Sequence, residues 1–366
     1  SDITLAESLP PAGAANYSSA LSCTGTSGLW GNTLTVGAAD TAIVCTYANT
    51  RKTAAVTLSK SWSGAIAGDK VNLTVSGSAA EVTGATAGTS TAPATTTNAT
   101  ATAGSGATVT LAEAFTPGNP ANYTTTLACT KVSDGSAVTV SGSGLSRSFT
   151  MPSDSAVNCA YTNTRRTATL QLAKAWSAGS TTGNVASIGA TTGGASNTAA
   201  FTATAPTAGT SGTAVSVAAG DTLTFPAETM SPGTLANYTT VLSCTADAGA
   251  TANTLSGTNG QASNTLVVGA GDAGKAIVCT YTNTPKTATL QIAKAWGANS
   301  IAGNVASIGA STGGSSNTTA FTATAPTGAN SGTAVTVQAG NTITLPAETM
   351  APGTLANYTT VLACTA

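Results

Sequence analysis

The sequence predicts an all-β fold in which β-sandwich repeats follow one another to form an elongated rod. Three observations lead to this prediction. Residues 167–245 align without a gap onto residues 287–365, so the chain is built of repeats. Apolar and polar residues alternate in short segments, which is the period of a half-buried β-strand. Clusters of Gly, Ser, Thr and Asn separate these segments, and no stretch holds a convincing helical period.

Three recurring motifs divide the chain into whole and partial repeats. They are Lys-x-Trp, Asn-Tyr with a Cys six residues after the Tyr, and Cys-x-Tyr-x-Asn-Thr. The predicted divisions are the C-terminal part of a repeat at 1–52, complete repeats at 53–166 and 167–286, and the N-terminal part of a repeat at 287–366. Dipeptides such as Arg51-Lys52 join the divisions and are too short to be flexible linkers, which predicts a stiff row.

The segment that begins each repeat shows the clearest strand pattern. In residues 56–62, Val, Leu, Lys and Trp alternate with Thr and Ser, and residues 170–176 keep this alternation. About seven such strands in about 115 residues predict a β-sandwich. The Thr/Ala tract at 83–105 resembles a disordered segment by itself, but its counterparts around Phe201 and Phe321 predict a strand with loose flanks.

The residue content excludes several classes of function. The 366 residues include 12 Lys or Arg and 13 Asp or Glu, a net charge of -1, whereas nucleic acids and anionic membranes attract clustered basic residues. The chain has no histidine, which excludes Ser-His-Asp and Cys-His catalysis and the common histidine metal sites. No cofactor, metal site, nucleic-acid partner or membrane-spanning segment is predicted, since no apolar run approaches roughly 18 residues. Residues 1–5 lack the pattern of a signal peptide.

The seven cysteines predict one disulfide per repeat, with Cys364 left over and its partner expected beyond residue 366. The spacing within the pairs varies, which suits a disulfide that closes a loop of variable length, whereas metal sites keep their spacing. Persistent disulfides form in oxidising compartments outside the cytosol. Buried free thiols are the alternative. The predicted pairs are Cys23–Cys45, Cys129–Cys159 and Cys244–Cys279.

The few charged residues recur on the inward faces of strands. The lysine of Lys-x-Trp and the asparagine of Cys-x-Tyr-x-Asn-Thr share the phase of their apolar neighbours, and so does a glutamate at one position of every repeat. Before the later glutamates, Pro226 and Pro346 predict a β-bulge that restores the inward phase. Three polar side chains per repeat therefore point into one core. The residues without a complete set in this sequence are Glu7, Asn49, Lys294 and Glu348.

A buried lysine beside a buried glutamate predicts a covalent reaction. Burial lowers the pKa of lysine and raises that of glutamate, which gives a neutral amine beside a neutral acid. The neutral amine is a nucleophile. It attacks the asparagine carboxamide while the glutamate donates to the carbonyl and shuttles the proton, so an amide forms and ammonia leaves. A buried ion pair capped by the asparagine is the alternative. The predicted isopeptide bonds are Lys60–Asn163, assisted by Glu113, and Lys174–Asn283, assisted by Glu228.

The segment Leu-Pro-Ala-Glu-Thr-Met-Ala-Pro-Gly at 345–353, followed by Tyr358, resembles the E-box of collagen-adhesin B-type and SpaA-type domains. The lysine of the first strand and the Asn-Thr that ends the last strand also match this family of bacterial pilin and adhesin domains. The resemblance covers every repeat, and it implies Ig-like, prealbumin-like (transthyretin-like) sandwiches on a bacterial cell surface. Two departures are Gly-Thr-Leu-Ala-Asn-Tyr in place of Gly-Tyr, and Glu113 without a following threonine.

These observations together predict a non-enzymatic segment of an extracellular fibre or adhesin stalk. A bond between the first and last strands of a repeat would carry a pulling force across it, and the disulfide would lock the remaining hairpin. The low charge and the small outer side chains favour neighbouring copies of the same protein as partners, side by side or end to end.

Two other functions stay open at this point. One is an adhesin module for an unidentified host or matrix ligand, which would contact the inter-cysteine loops at 24–44, 130–158 and 245–278. Trp30 and Phe149 are the only aromatic residues in these loops, and each is expected to anchor its loop locally rather than to contact a ligand. The other is a filament subunit that polymerises head to tail, with residues 25–50 of the next chain completing the last repeat. Residues 1–24 duplicate residues 341–364, so one of the two copies would be displaced in such a joint, which argues against this alternative.

Overall fold

The computed structural model of the protein describes residues 1–26, 28–207, 209–246, 255–256, 264–327 and 330–365. In these ranges the chain is built of strands, and its one α-helix is a single turn, α1, at Pro11–Ala14. The chain divides into two compact units, Ser1–Arg166 and Thr167–Ala366. The predicted all-β fold is confirmed.

Residues 1–52 form two small sheets with little core. The strands are β1 Asp2–Thr4, β2 Tyr17–Thr24, β3 Leu29–Trp30, β4 Thr33–Thr35 and β5 Val44–Arg51. Strands β2 and β5 pair antiparallel, and β4 lies between β1 and β3. Among the described side chains of this part, Leu34 is the one buried hydrophobic residue, and Trp30 is 88% exposed.

Residues 53–166 form a two-sheet sandwich. The strands are β6 Thr53–Ser63, β7 Lys70–Ser76, β8 Val82–Thr86, β9 Gly88–Thr91, β10 Thr95–Thr97, β11 Ala99–Gly104, β12 Thr108–Phe115, β13 Tyr123–Lys131, β14 Ser141–Ser143, β15 Ser146–Thr150 and β16 Val157–Arg165. One sheet has the order β10-β9-β7-β12-β15-β14 and the other β13-β16-β6-β11-β8. Their inward residues, such as Leu58 and Leu111, form one core. The alternation of the sequence therefore becomes the two faces of each sheet.

Residues 167–286 repeat this arrangement in the second unit. The strands are β17 Thr167–Trp176, β18 Val185–Ile188, β19 Phe201–Thr204, β20 Thr210–Ser211, β21 Val215–Ala218, β22 Thr222–Phe225, β23 Thr229–Met230, β24 Tyr238–Ala246, β25 Leu255–Ser256, β26 Asn264–Val267 and β27 Ala276–Pro285. β17 lies between β20 and β27, β27 also pairs with β24, and β21 pairs with β17. β17 and β27 run parallel, as β6 and β16 do.

Residues 287–365 reproduce the first strands of that arrangement. The strands are β28 Thr287–Leu290, β29 Ala293–Lys294, β30 Val305–Ile308, β31 Phe321–Thr324, β32 Asn330–Ser331, β33 Val335–Gln338 and β34 Glu348–Met350. β30 lies between β31 and β34 just as β18 lies between β19 and β23. The sequence identity between the two segments is thus matched by the same strand pairing.

A similar backbone junction links neighbouring divisions inside each unit. The amide of Lys52 donates to the carbonyl of Asn16 at 2.9 Å, and the amide of Ser105 donates to the carbonyl of Lys52 at 2.9 Å. Lys286 makes the corresponding two contacts in the second unit, at 2.8 Å each. Lys52 and Lys286 are therefore hydrogen-bonded to the divisions on both sides.

Three details of the sequence analysis were wrong. The tract 83–105 is almost wholly stranded, in β8 to β11, because its inward alanines such as Ala101 fit a closely packed face. The predicted bulge at Pro226 is an interruption, since β22 ends at Phe225 and β23 begins at Thr229. Trp30 is 88% exposed and is therefore not the expected local anchor, whereas Phe149 is one, since it is buried in the core with only 3% exposed.

Candidate functional site

The predicted lysine, glutamate and asparagine of the first complete repeat meet inside its sandwich. Lys60 lies on β6 and Asn163 on β16, which are adjacent parallel strands of one sheet. Lys60 stands opposite Tyr161, so Asn163, two residues farther along, projects on the same face. Glu113 lies on β12 in the facing sheet. The first and last strands of the repeat and the opposite sheet therefore each supply one member.

The three side chains are linked through an ion pair and a threonine hydroxyl. Lys60 Nζ lies 2.8 Å from Glu113 Oε2, and both side chains are fully buried. Thr125 Oγ1 donates to Asn163 Oδ1 at 2.8 Å and lies 3.4 Å from Glu113 Oε1. Asn163 Nδ2 has no hydrogen-bond partner within the described part of the chain. The carboxamide is thus held by its oxygen, and its amino group is not engaged.

The second complete repeat also buries its predicted trio together, with Glu228 in the segment between β22 and β23. Lys174 Nζ lies 3.4 Å from Glu228 Oε1, and both side chains are fully buried. Asn283 Nδ2 donates to the same Glu228 oxygen at 2.6 Å. Lys174 Nζ also donates to the carbonyl of Tyr281 at 3.3 Å. Here the glutamate directly bridges the amine and the carboxamide.

A tryptophan covers each lysine. Lys60 Nζ lies 4.7 Å from the centroid of the Trp62 ring, and Lys174 Nζ lies 4.4 Å from that of Trp176. Each tryptophan in turn meets the edge of a tyrosine, Tyr123 or Tyr238. The aromatic ring attracts a cationic amine and excludes water from it. The tryptophan of the Lys-x-Trp motif therefore forms one wall of the site.

Burial sets the electrostatics of the site. Desolvation lowers the pKa of the Lys60 amine, and the nearby Glu113 opposes this only in part. Desolvation also lowers the pKa of Lys174, to about 8, against the opposing charge of Glu228. The pKa of Glu228 is raised, again because burial disfavours its charged form. Burial therefore makes the neutral pair more favourable, relative to the ion pair, than it would be in water.

The four residues predicted to lack a complete set are found in two incomplete sites. Lys294 Nζ lies 2.8 Å from Glu348 Oε1, and each side chain is 16% exposed. Asn49 Nδ2 donates to Glu7 Oε1 at 2.5 Å, at an exposed position. The Lys294–Glu348 contact therefore repeats the lysine–glutamate pair of both complete repeats, and the Asn49–Glu7 contact repeats that of Asn283 and Glu228 in the second.

The predicted cysteine pairs are disulfide-bonded. Cys129 and Cys159 stand directly opposite each other on β13 and β16, and the other two pairs occupy the corresponding positions on β2 and β5 and on β24 and β27. Their Cα atoms lie 4.0–4.1 Å apart. Cys364 is a free, exposed thiol. Each disulfide thus fastens the strand that carries the asparagine to its hairpin partner.

One recurring residue of the site was missed by the sequence analysis. A serine or threonine lies two residues after the tyrosine of every Asn-Tyr motif, and it pairs across the sheet with the asparagine wherever that strand is present. Its sequence signal is a hydroxyl on the inward face at one repeat position. The residues are Ser19, Thr125, Thr240 and Thr360.

Three further observations concern the rest of the described chain. Within the described ranges, no group of three or more acidic or cysteine residues is placed to hold a metal ion. No helix in these ranges has the length and apolar character to cross a membrane. Of the loop at 245–278, residues 247–254 and 257–263 lie outside the described residues.

Comparisons with solved structures return pilins and adhesins at low identity. The major pilin protein T-13 of Streptococcus pyogenes is 12% identical with a TM-score of 0.29, and the alignment covers 64% of this chain and 98% of that chain. An adhesin from Mobiluncus mulieris containing intramolecular disulfide, isopeptide and ester cross-links is 12% identical with a TM-score of 0.22, covering 60% and 87%. No curated protein matches the chain.

The family comparison covers most of the chain. The SpaA-type family described as a prealbumin-like fold domain matches residues 55–165, 167–285 and 290–366. The first two matches span the two sandwiches that hold the complete lysine, glutamate and asparagine sets, and the third spans Lys294 and Glu348. The resemblance indicated by the sequence motifs is thus confirmed, and the chain belongs to the SpaA-type prealbumin-like fold domain family.

Proposed function

We propose that this chain is a structural segment of an extracellular fibre or adhesin stalk on a bacterial cell surface, in which each complete repeat is closed by a lysine–asparagine isopeptide bond. The divisions would be those of the sequence, 1–52, 53–166, 167–286 and 287–366. The observation that carries the proposal is the burial of all three groups together in both complete repeats, with the lysine and the asparagine on the adjacent first and last strands.

The reaction follows from the placement of the three groups. The neutral Lys60 amine attacks Cγ of Asn163, and a C–N bond forms while the carbonyl electrons move to Oδ1. Glu113, which is neutral in the reactive form, gives its proton to the departing amino group and takes up the proton that the attacking amine loses. The Cγ–Nδ2 bond breaks, ammonia leaves, and an amide remains. The reaction happens once per repeat, so the chain would not be an enzyme that acts on an external substrate.

The buried ion pair without a bond is the competing interpretation, and it is energetically expensive. Each ion loses several kcal/mol of hydration when it is taken into a protein interior. Reaction replaces an amine, an acid and an amide by an uncharged cross-link and a neutral acid, which removes that cost. The geometry therefore supports the covalent form as the end state of both complete repeats.

We expect the intact, oxidised chain to be lighter than its sequence mass by two molecules of ammonia, besides the hydrogens lost in three disulfides. The two losses correspond to the Lys60–Asn163 and Lys174–Asn283 bonds, because Lys294 and Asn49 lie in incomplete sites. Intact mass spectrometry under reducing and non-reducing conditions counts both kinds of cross-link separately. A reduced chain with the full sequence mass would refute the covalent proposal and leave the ion pairs.

The pH dependence of bond formation is expected to reflect one proton shared by the lysine and the glutamate. The reactive form, a neutral amine beside a neutral acid, holds as many protons as the ion pair. Because the pKa of Lys174 is about 8, the pair loses that proton above about pH 8.

We therefore expect the rate for Lys174–Asn283 to fall about tenfold per pH unit above pH 8. Below the raised pKa of Glu228 the rate should fall as well, because the lysine is then charged. Intact mass during refolding of unreacted chain, followed from pH 5 to pH 10, measures the profile. A rate that still rises above pH 9 would contradict the shared-proton mechanism.

Other copies of the same protein are the proposed partners. The chain has a net charge of -1 and only 7% charged residues, so neighbouring copies would repel one another weakly. Light scattering at increasing protein concentration tests lateral association, and copies that stay separate at high concentration would count against it.

A further inference from the structure

The recurring hydroxyl of the site touches the atom at which the proposed reaction develops charge. Thr125 stands directly opposite Asn163 in the β13–β16 pair, and its Oγ1 donates to Asn163 Oδ1 at 2.8 Å. The same hydroxyl lies 3.4 Å from Glu113 Oε1. It therefore contacts both the carbonyl under attack and the acid. Neither the sequence motifs nor the proposed roles of lysine, glutamate and asparagine account for this placement.

We propose that Thr125 is a catalytic residue of isopeptide formation: its hydroxyl donates the hydrogen bond that stabilises the oxyanion on Asn163 Oδ1 and is itself oriented by the carboxyl group of Glu113. The inference rests on the proposed isopeptide function. It changes the assignment made from the sequence, in which the glutamate alone donates to the carbonyl.

The single proton of the Thr125 hydroxyl determines the direction of its two hydrogen bonds. A threonine hydroxyl has one proton and two acceptor lone pairs, so it cannot donate to the carboxamide and to the carboxyl at once. The shorter contact, to Asn163, is the donating one. Glu113 in its neutral form then donates to Thr125 Oγ1, and this hydrogen bond strengthens the one that Thr125 donates to the carbonyl.

Each bond change in the step is accounted for. Lys60 Nζ forms a bond to Asn163 Cγ, and the C=O electron pair moves to Oδ1, which Thr125 stabilises without giving up its proton. The electron pair returns, the Cγ–Nδ2 bond breaks, and the amino group leaves as ammonia with the proton that the neutral Glu113 gives it. Glu113 then recovers a proton from the lysine nitrogen, which becomes the amide nitrogen. The products are one amide and one ammonia.

The second repeat shows the contact needed for departure of the amino group. There the carboxamide has the opposite orientation, with Asn283 Nδ2 donating to Glu228 Oε1 at 2.6 Å. The leaving amino group thus lies against the acid that protonates it. Thr240 stands directly opposite Asn283, as Thr125 stands opposite Asn163. The two repeats together display the carbonyl contact to the hydroxyl and the amino contact to the carboxyl.

The test compares Thr125→Val, which keeps the shape of the side chain but removes the hydroxyl, with Thr125→Ser, which keeps the hydroxyl. Unreacted chain recovered from inclusion bodies is refolded, and peptide mass mapping follows the Lys60–Asn163 bond over time. Removing one donor from an oxyanion site slows a reaction by about 100- to 1,000-fold. We expect that loss for valine and a rate within about tenfold of the original for serine.

Two controls in the same chain separate this inference from the proposed function. The Lys174–Asn283 bond should form at the unaltered rate in the Thr125→Val chain, and Thr126→Val, on the exposed face of β13, should change neither bond. If the unsubstituted chain forms no bond, the proposed function fails. If it forms both bonds and Thr125→Val closes its repeat at the original rate, the oxyanion role of Thr125 is refuted.

A Thr125→Val repeat that fails to fold would be recognised by the missing Cys129–Cys159 disulfide. In that event Thr240→Val in the second repeat decides the question by the same measurement. Slow formation of Lys174–Asn283 with an intact Cys244–Cys279 disulfide supports the hydroxyl role, and an unchanged rate overturns it.

Discussion

Glu113→Ala is expected to abolish the Lys60–Asn163 bond and to destabilise its repeat more than any other single substitution at the site. The neutral glutamate gives its proton to the leaving group and takes up the proton of the attacking amine, and general acid–base catalysis of this kind contributes about 100- to 10,000-fold. Glu228→Ala should have the same effect on Lys174–Asn283. Each variant should be heavier by one ammonia than the mass expected from substitution alone.

The loss of stability has two causes. The isopeptide bond closes a loop of about 100 residues, which in the loop-entropy model is worth about 5 kcal/mol. Removal of the carboxylate also leaves the buried Lys60 without its ion-pair partner, and breaking a buried pair in this way costs about 3 to 5 kcal/mol. Because burial lowers the pKa of Lys60, its amine loses its proton more readily, and this offsets part of the second effect. Thermal unfolding of the separate repeats measures the sum.

Glu81→Ala is the matched control for these two variants. Glu81 is the one glutamate outside the shared repeat position, and it pairs with Arg51 at 2.8 Å on the surface, with its side chain 35% exposed. An exposed pair of this kind contributes about 0 to 1 kcal/mol. The control should keep both isopeptide bonds and nearly all of its stability. A Glu113→Ala chain that still loses two molecules of ammonia would show that the glutamate is dispensable.

The site could be predicted from the sequence because it repeats. A single lysine on the inward face of a strand does not by itself indicate a site. Lys60, Lys174 and Lys294, however, occupy one repeat position beside a tryptophan, and glutamates and asparagines recur at fixed repeat positions as well. Strand alternation then assigns all three to the core face, where the structure places them. The repeats also indicated which cysteines pair, because each disulfide joins the cysteine that follows Asn-Tyr to the cysteine of Cys-x-Tyr-x-Asn-Thr.

The features that the sequence analysis did not predict depend on how the strands pair in the folded protein. Thr125 belongs to the site because β13 pairs with β16 in the one register that sets it opposite Asn163, and strand alternation alone does not specify which residues face each other across a sheet. The interruption after Phe225 likewise depends on two neighbours, since β22 pairs with β26 whereas β23 pairs with β18. The different burial of the two loop aromatics also depends on tertiary pairing, since Phe149 lies on β15, which pairs with β12 in the core sheet, whereas Trp30 lies in a part of the chain with little core.

Pulling on a single repeat should show the two cross-links as separate length changes. Lys60 lies near the start of the repeat and Asn163 near its end, so with the bond in place the chain between them bears no load. In the Glu113→Ala chain that segment becomes extensible, except for residues 129–159, which the disulfide still closes. At about 3.4 Å per residue we expect an additional extension of about 250 Å.

Reduction of the disulfide should release a further extension of about 100 Å in the Glu113→Ala chain, since about 30 more residues are then freed. The same reduction should release nothing in the bonded chain, because Cys129 and Cys159 lie inside the loop that the Lys60–Asn163 bond shields from force. Single-molecule force spectroscopy with and without reductant makes the comparison. An equal response of the two chains to reductant would mean that force reaches the interior of the repeat and that no bond joins its first and last strands.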